Sequence, residues 1–279
     1  MKERKVIANL TWRCDMRCPY CWLYGPDSTS EGLLETEKNK ISIDDWIKGL
    51  NNLLPCTIDF CGGEPTLFGD DFVRIVESLN RNRYLWALTT NMGSDRALSS
   101  VINAYTANPG RFVMINCSFH GCGPDIDMFI QRLRQLEVAG IPVARIAVSF
   151  VMSKYWDYMA EIEKIVKTPY KVQPLSYRCV YQDRPTTMRS TCNASNVCLC
   201  INVDGRTWPC PMQMRSRRRE DFPTGHILGD IDTSSTLENV CDLNCCKKER
   251  MDWNIVRWDA GDKKTTEEAK NDQAQDINA

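Results

Sequence analysis

The sequence predicts an α/β fold in which a parallel sheet curls into a partial barrel of six strand–helix units. Short apolar runs alternate with amphipathic stretches of about ten or more residues, the pattern of repeated strand–helix units. Polar and cysteine-rich clusters fall just after the apolar runs, where ligands sit in such sheets. Val6 to Leu10 reads as the first strand and ends at a cysteine cluster. After a polar loop, Ser42 caps a helix with Trp46, Ile47, Leu50 and Leu54 on one face. Thr57 to Phe60 is a second strand, stopped by Gly62 and Gly63, and Asp70 or Asp71 opens a helix through Val73, Ile75, Val76 and Leu79. Tyr84 to Leu88 is the third strand, and Ser94 caps a helix through Leu98, Val101 and Ile102. Phe112 to Cys117 is the fourth strand, and Asp125 starts a helix through Phe129, Leu133 and Leu136 that Gly140 ends. Val143 to Met152 is the fifth, and Ser153 caps a helix with Tyr158, Ile162 and Ile165. Lys171 to Leu175 is a weaker sixth. Right-handed crossovers would wind these units into an open barrel or a doubly wound sheet, and the barrel is the expectation.

The composition fits a folded chain: 279 residues, 43% hydrophobic and 25% charged. A net charge of −1 gives no general attraction to nucleic acid or to a membrane surface, and no apolar run is long enough to span a bilayer. The charged start, Met1 to Lys5, is not followed by the apolar core of a secretion signal, so a cytoplasmic location is expected. There, 15 cysteines read as metal ligands or buried thiols rather than disulfides. Residues 1–185 form the expected core and 186–255 a small cysteine-rich domain. The stretch 256–279 is an expected disordered tail, with six acids and three lysines from Asp259 onward.

Cys14, Cys18 and Cys21 follow the first strand with C-x3-C-x2-C spacing. A structural zinc site would want four ligands, and no histidine lies nearby. Three thiolates suit a cubane of four irons and leave one iron open to a partner. A redox dithiol at Cys18-Pro19-Tyr20-Cys21, a structural zinc and three unrelated buried thiols are the rival readings. Gly62-Gly63-Glu64-Pro65 follows the second strand, 41 residues after Cys21. Its glycines let backbone approach a ligand closely, and Glu64 can accept from a cationic ammonium. Taken alone, that segment is an ordinary turn.

Together these two motifs resemble the radical S-adenosylmethionine (radical SAM) superfamily. The resemblance implies a [4Fe-4S] cluster on Cys14, Cys18 and Cys21, with S-adenosylmethionine (AdoMet) chelating the fourth iron. It implies that Tyr20 sits beside the adenine and that Gly62, Gly63, Glu64 and Pro65 meet the AdoMet amino group. Thr90-Asn91-Met92 is similar to the family's Thr-Asn-Gly, with Met92 in place of Gly. Ser118-Phe119-His120-Gly121 is similar to its Ser-x-Asp-Gly, with His120 in place of Asp. Asn116, Ser118 and His120 share one strand face, which could meet the ribose; ordinary strand-end residues are the rival reading. Arg145 on strand five is a candidate for the AdoMet carboxylate or a surface arginine.

Cys200 to Cys210 with its Asp204-Gly205 turn, then His226 to Ile231, then Cys241-x3-Cys245-Cys246, resembles the SPASM or shortened twitch appendage of that superfamily. The appendage's C-x2-C-x5-C-x3-C run is missing. One auxiliary [4Fe-4S] cluster is therefore expected, on Cys192, Cys210, Cys241 and Cys245, with Cys198, Cys200 and Cys246 as substitutes; zinc on the same cysteines stays open. Arg215, Arg217, Arg218 and Arg219 form a basic run, either a solvated loop or a contact for an anionic group. The resemblance implies reductive cleavage of AdoMet to a 5′-deoxyadenosyl radical that abstracts hydrogen from a substrate, with an electron donor such as flavodoxin or ferredoxin. A peptide or protein substrate is the first reading. A nucleoside, sugar or other small molecule is the second, and a zinc-organised binding module is the non-enzymatic one. Cys61, Cys117 and Cys122 near the strand ends are candidate hydrogen donors to a substrate radical, against inert buried thiols.

Overall fold

The computed structural model describes residues 4–21, 23–25, 32–152, 159–176, 190–191, 198–209, 214, 224–231 and 240–241. All lie in the first of two units into which the chain divides, 1–243 and 244–279. The strands are β1 (Arg4–Thr11), β2 (Cys56–Gly62), β3 (Tyr84–Thr90), β4 (Phe112–Phe119), β5 (Ile146–Met152) and β6 (Lys171–Ser176). Short strands follow: β7 (Ser190–Thr191), β8 (Cys198–Ile201), β9 (Arg206–Trp208), β10 (Gly225–His226) and β11 (Val240–Cys241). The helices are α1 (Leu33–Thr36), α2 (Ile43–Asn52), α3 (Asp70–Ser78), α4 (Asp95–Ala107), α5 (Ile126–Val138) and α6 (Met159–Val166).

β1 to β6 lie side by side in chain order and pair in parallel. The order decides between the two windings that periodicity left open, because a doubly wound sheet reverses its strand order midway. The core gives the same answer. Val6, Ala8 and Leu10 of β1, Ile58 and Phe60 of β2, Trp86 and Leu88 of β3 and Ile115 of β4 form one buried cluster with α2 to α6. Helices thus cover a single face, as in a barrel. The opposite face is more polar. Lys5 pairs with Asp59 at 2.9 Å. Ser149 donates to Asn116 at 2.7 Å. The Cys61 thiol donates to Asn9 Oδ1 at 3.4 Å.

Local chemistry explains the element starts. Ser42 accepts from the Asp45 N–H, Ser94 from Ala97 and Asp125 from Met128, so α2, α4 and α5 begin at their expected caps. Gly140, at φ 89°, follows α5. Two expectations shift. Leu54 is 65% exposed, because α2 stops at Asn52 and Leu53 turns extended. The fifth strand begins at Ile146 rather than Val143, because Pro142 starts a 3-10 turn closed by Arg145 N–H onto the Pro142 carbonyl. The Ser153 cap and Tyr158 lie outside the described residues.

β8 pairs in parallel with the free edge of β1, Lys5 opposite Cys198 and Ile7 opposite Cys200. β9 and β10 extend that edge antiparallel. The Asp204-Gly205 hairpin foreseen from its turn residues therefore continues the sheet. Asn9 Nδ2 donates to the Ile201 carbonyl at 2.9 Å and ties the two strands together. Among the described residues no helix is long and apolar enough to cross a membrane.

Candidate functional site

The carboxyl ends of β1 to β4 bring Cys14–Cys21, Gly62–Pro65, Asn91 and His120 to one rim. The end of β1 is anchored first. Glu37 accepts from the Trp12 N–H and from the Thr11 hydroxyl, both at 2.7 Å. Trp12 is fully buried, and its indole N–H reaches Asn202 Oδ1 at 2.8 Å. Tyr24 donates to the Trp12 carbonyl at 2.8 Å. The glycine-rich segment then lies directly on this backbone: Gly63 N–H bonds the Thr11 carbonyl and Glu64 N–H the Arg13 carbonyl. A Cβ on Gly63 would stand 2.2 Å from the Arg13 oxygen, and Gly62 holds φ +135° with a Cβ position 2.3 Å from the Thr11 oxygen. The first role of this glycine pair is contact with the strand that launches the cysteine loop.

The loop packs as one cluster of Met16, Cys18 and Tyr20 with Cys14, Cys21 and Cys122. Backbone N–H groups aim at two thiols, Met16 at Cys14 Sγ and Leu23 at Cys21 Sγ, both at 3.4 Å. The Cys21 N–H closes a turn onto the Cys18 carbonyl at 2.9 Å. Arg17 donates to the Cys14 and Met16 carbonyls and lies over the Tyr24 ring, its guanidinium carbon 4.3 Å from the centroid. Met16 is a wedge between the loops after β3 and β4: a Cβ on Gly93 or Gly123 would meet its methyl group at 2.9 or 2.2 Å. Burial pushes the Cys14 thiol up to about 12, against the Met16 N–H, which pulls it down. Cys122 Sγ lies 3.0 Å from Cys18 Sγ. That contact and burial hold Cys18 above the ordinary thiol range, and the same contact lowers Cys122.

Among the described residues no three His, Cys, Asp or Glu side chains converge on a single-ion site. A cubane asks for something else: each thiolate binds a different iron, so the sulfurs surround the cluster. Three thiols on one short loop, two of them receiving N–H···S bonds, fit that demand.

Glu64 has no exposed surface. One carboxylate oxygen accepts from the Thr66 N–H, the Thr66 hydroxyl and the Thr90 hydroxyl, and the other from the Asn91 N–H at 2.7 Å. Burial raises its pKa and these four bonds oppose the shift. The expected ammonium acceptor is thus turned inward, where it joins the loop after β2 to the end of β3. Asn91 carries the connection on: its amide donates to Asp15 at 2.8 Å and to Cys14 Sγ at 3.6 Å. Met92, standing where the resembled motif has Gly, holds φ 50°. That left-handed turn is what Gly would adopt without strain. Arg132 pins it through the Met92 carbonyl at 2.8 Å.

Tyr20 and His120 form a second pair. The Tyr20 hydroxyl is 2.9 Å from His120 Nδ1 and also donates to the His120 carbonyl, and the rings stack with centroids 6.1 Å apart. Burial lowers the His120 pKa to about 4, so the ring is neutral near neutral pH. Ser118 is buried on the inner face beside Asn116. Arg145 precedes β5 and donates to the Phe112 carbonyl at 2.6 Å. It stands at the end of the sheet opposite the cysteine loop.

Of the remaining cysteines, Cys117 is fully buried among helix-side apolar residues, and Cys61 is on the inner face. Cys198 and Cys200 face inward from β8 with their sulfurs 4.0 Å apart. Cys241 lies on β11. Cys192, Cys210, Cys245, Cys246 and the basic run at Arg215 to Arg219 lie outside the described residues. Sequence reading missed Glu37, Met16 and Asn202. Only the Glu37 position had a local signal, an acidic residue in the polar loop after β1.

No family model matches the chain. Over 69 residues it is 38% identical to the Fe-coproporphyrin III synthase of Methanosarcina barkeri (strain Fusaro / DSM 804). That match spans 25% of this chain and only 16% of the relative. The solved structure of native anSMEcpe with bound AdoMet aligns at a TM-score of 0.52 and 13% identity, covering 84% of this chain and 81% of that one. The hexahistidine-tagged form of anSMEcpe with bound AdoMet aligns at 0.52 and 14%, covering 85% and 78%. The chain has the partial-barrel fold of the radical SAM enzymes.

Replacing Gly63 by Ala is expected to cost about 1–3 kcal/mol in urea unfolding, as overpacking against the Arg13 carbonyl does elsewhere. An unchanged midpoint would contradict the close approach. His120 gives a pH signature. Its folded pKa lies below the unfolded one, so the unfolded chain takes up a proton below about 6.5 that the folded chain refuses until about 4. Stability therefore falls with pH across that window, and His120→Gln should flatten the fall. Unfolding measured above and within the window checks this, and identical slopes for both proteins would refute it.

Proposed function

We propose that this chain is a radical SAM enzyme with its [4Fe-4S] cluster on Cys14, Cys18 and Cys21. The observation that carries the reading is the gathering of these three thiols on one loop at the rim of a singly wound parallel sheet, against the glycine-rich segment after β2. When bound there, the cluster supplies the electron that splits the AdoMet carbon–sulfur bond and so generates the hydrogen-abstracting radical.

The protein's own residues do the rest. Met16, Tyr20 and Cys18, all nearly buried, keep water from the thiols. The Met16 N–H and the Asn91 amide stabilise negative charge on Cys14 Sγ. Gly62, Gly63 and Pro65 form the segment that meets the AdoMet amino group. The Glu64 carboxylate acts on that cation through its field from behind the rim, and positions Asn91. Tyr20, held by His120, offers a ring for the adenine, and Ser118 and Asn116 line the inner face toward the ribose. Arg145 is not part of this set.

The finer reading is a peptide or protein substrate, with residues 186–255 as a SPASM- or twitch-like domain holding one auxiliary [4Fe-4S] cluster on Cys192, Cys210, Cys241 and Cys245. The continuation of the core sheet through β8 to β10 supports a close union of residues 198–226 with the core. Flavodoxin or ferredoxin is the proposed electron donor, and the cytoplasm the proposed location. A small-molecule substrate is the second reading, favoured by the name of the curated relative.

The full chain, reconstituted anaerobically with iron and sulfide and given AdoMet and dithionite, is expected to form 5′-deoxyadenosine. The Cys14/Cys18/Cys21→Ala variant should fall to the level of a protein-free control. Equal product from both would overturn the assignment, and zinc without iron or labile sulfide in the anaerobically purified chain would favour the binding module.

A further inference from the structure

Cys122 follows β4, between Gly121, at φ 68°, and Gly123. Its sulfur is 3.0 Å from that of Cys18, 104 residues away in the chain. Both are free thiols, Cys18 buried and Cys122 half-buried. The sequence suggests a different partner for Cys18, the Cys21 of Cys-Pro-Tyr-Cys. In the fold, however, Cys21 Sγ receives the Leu23 N–H, while Cys18 Sγ meets Cys122.

We propose that Cys18 and Cys122 are a redox modification site, a thiol pair that a low-molecular-weight disulfide converts to an intramolecular disulfide, closing the loop to iron. The exchange balances without a metal. The Cys122 thiolate attacks one sulfur of glutathione disulfide, the old sulfur–sulfur bond breaks, and one glutathione leaves as its thiolate. Cys18 then attacks the Cys122 sulfur of the mixed disulfide and expels the second glutathione. Two protein thiols give up two protons and two electrons, and glutathione disulfide becomes two molecules of glutathione. Cys122 is the more exposed partner and is the point of entry. The neighbouring glycines leave its loop free to close the remaining gap.

The consequence rests on the cluster reading. A cysteine held in a disulfide has no thiolate to offer, and a loop reduced to two ligands cannot carry the cubane. The pair would therefore guard the unloaded chain and make its loading depend on thiol reduction.

The test uses the full chain, freed of metal and kept anaerobic, with glutathione disulfide as the probe. After alkylation, non-reducing peptide mapping is expected to find the Cys18–Cys122 bond. Iron uptake from ferrous ion and sulfide should drop to the level of the Cys14/Cys18/Cys21→Ala variant and return with dithiothreitol. Cys122→Ser should yield no such bond and should load iron when reduced. A Cys18–Cys21 bond or stable glutathione adducts as the main wild-type product would overturn the pairing. The expected bond with undiminished iron uptake would overturn the guarding role. A reduced wild type that takes up no iron would defeat the cluster reading and the guarding role, while the peptide map still judges the pair itself.

Discussion

One fully buried carboxylate joins the segments on which the rim depends. Glu64 stands just after the glycine pair that grips the end of β1, and its side chain gathers donors from Thr66, Thr90 and Asn91. Burying a carboxylate is costly unless its lone pairs are satisfied, and four donors offset that cost here. Asn91, fixed by this contact, carries the connection to Asp15 and Cys14. Cysteine loop, glycine segment and the end of β3 thus form one hydrogen-bonded frame. Removing the carboxylate leaves several buried donors without their partner at once.

This frame gives the loop unequal faces. Toward the helices the sheet is apolar and closed. On the inner side, Lys5 and Asp59, Asn116 and Ser149, and Asn9 and Cys61 bond in pairs across neighbouring strands. Such pairs satisfy polar groups that no helix covers. The inner face thereby keeps its polar groups paired beneath the rim.

Local chemistry was legible in the sequence and long-range pairing was not. Ser42, Ser94 and Asp125 announced their helices because a cap acts within one turn. Gly62 and Gly63 announced a close approach, but not that Thr11 and Arg13 would be what they approach. Met92 was visible as a departure from the Thr-Asn-Gly pattern, and its φ of 50° shows what Gly supplies there. The side of the sheet taken by each helix, the joining of β8 to β1 and the grip of Glu37 on Trp12 all depend on contacts between distant residues. The place of Arg145 was not legible for a related reason: Pro142 delays β5, which puts the arginine ahead of the strand rather than on it. Glu64 was legible as a carboxylate beside the glycine pair, but its bonds to Thr90 and Asn91 were not, since they depend on where the end of β3 comes to lie.

The role of Glu64 as the internal tie of the rim is tested most directly by hydrogen exchange on the full-length Glu64→Gln variant. An amide in place of the carboxylate keeps the shape and turns one acceptor into a donor facing other donors. The account expects faster exchange at the amides of Met16, Cys21, Glu64, Asn91 and Gly93, with β4 and α5 as protected as in the parent chain. Unchanged protection around the rim, together with weakened AdoMet binding, would contradict it and give the carboxylate back to the ligand.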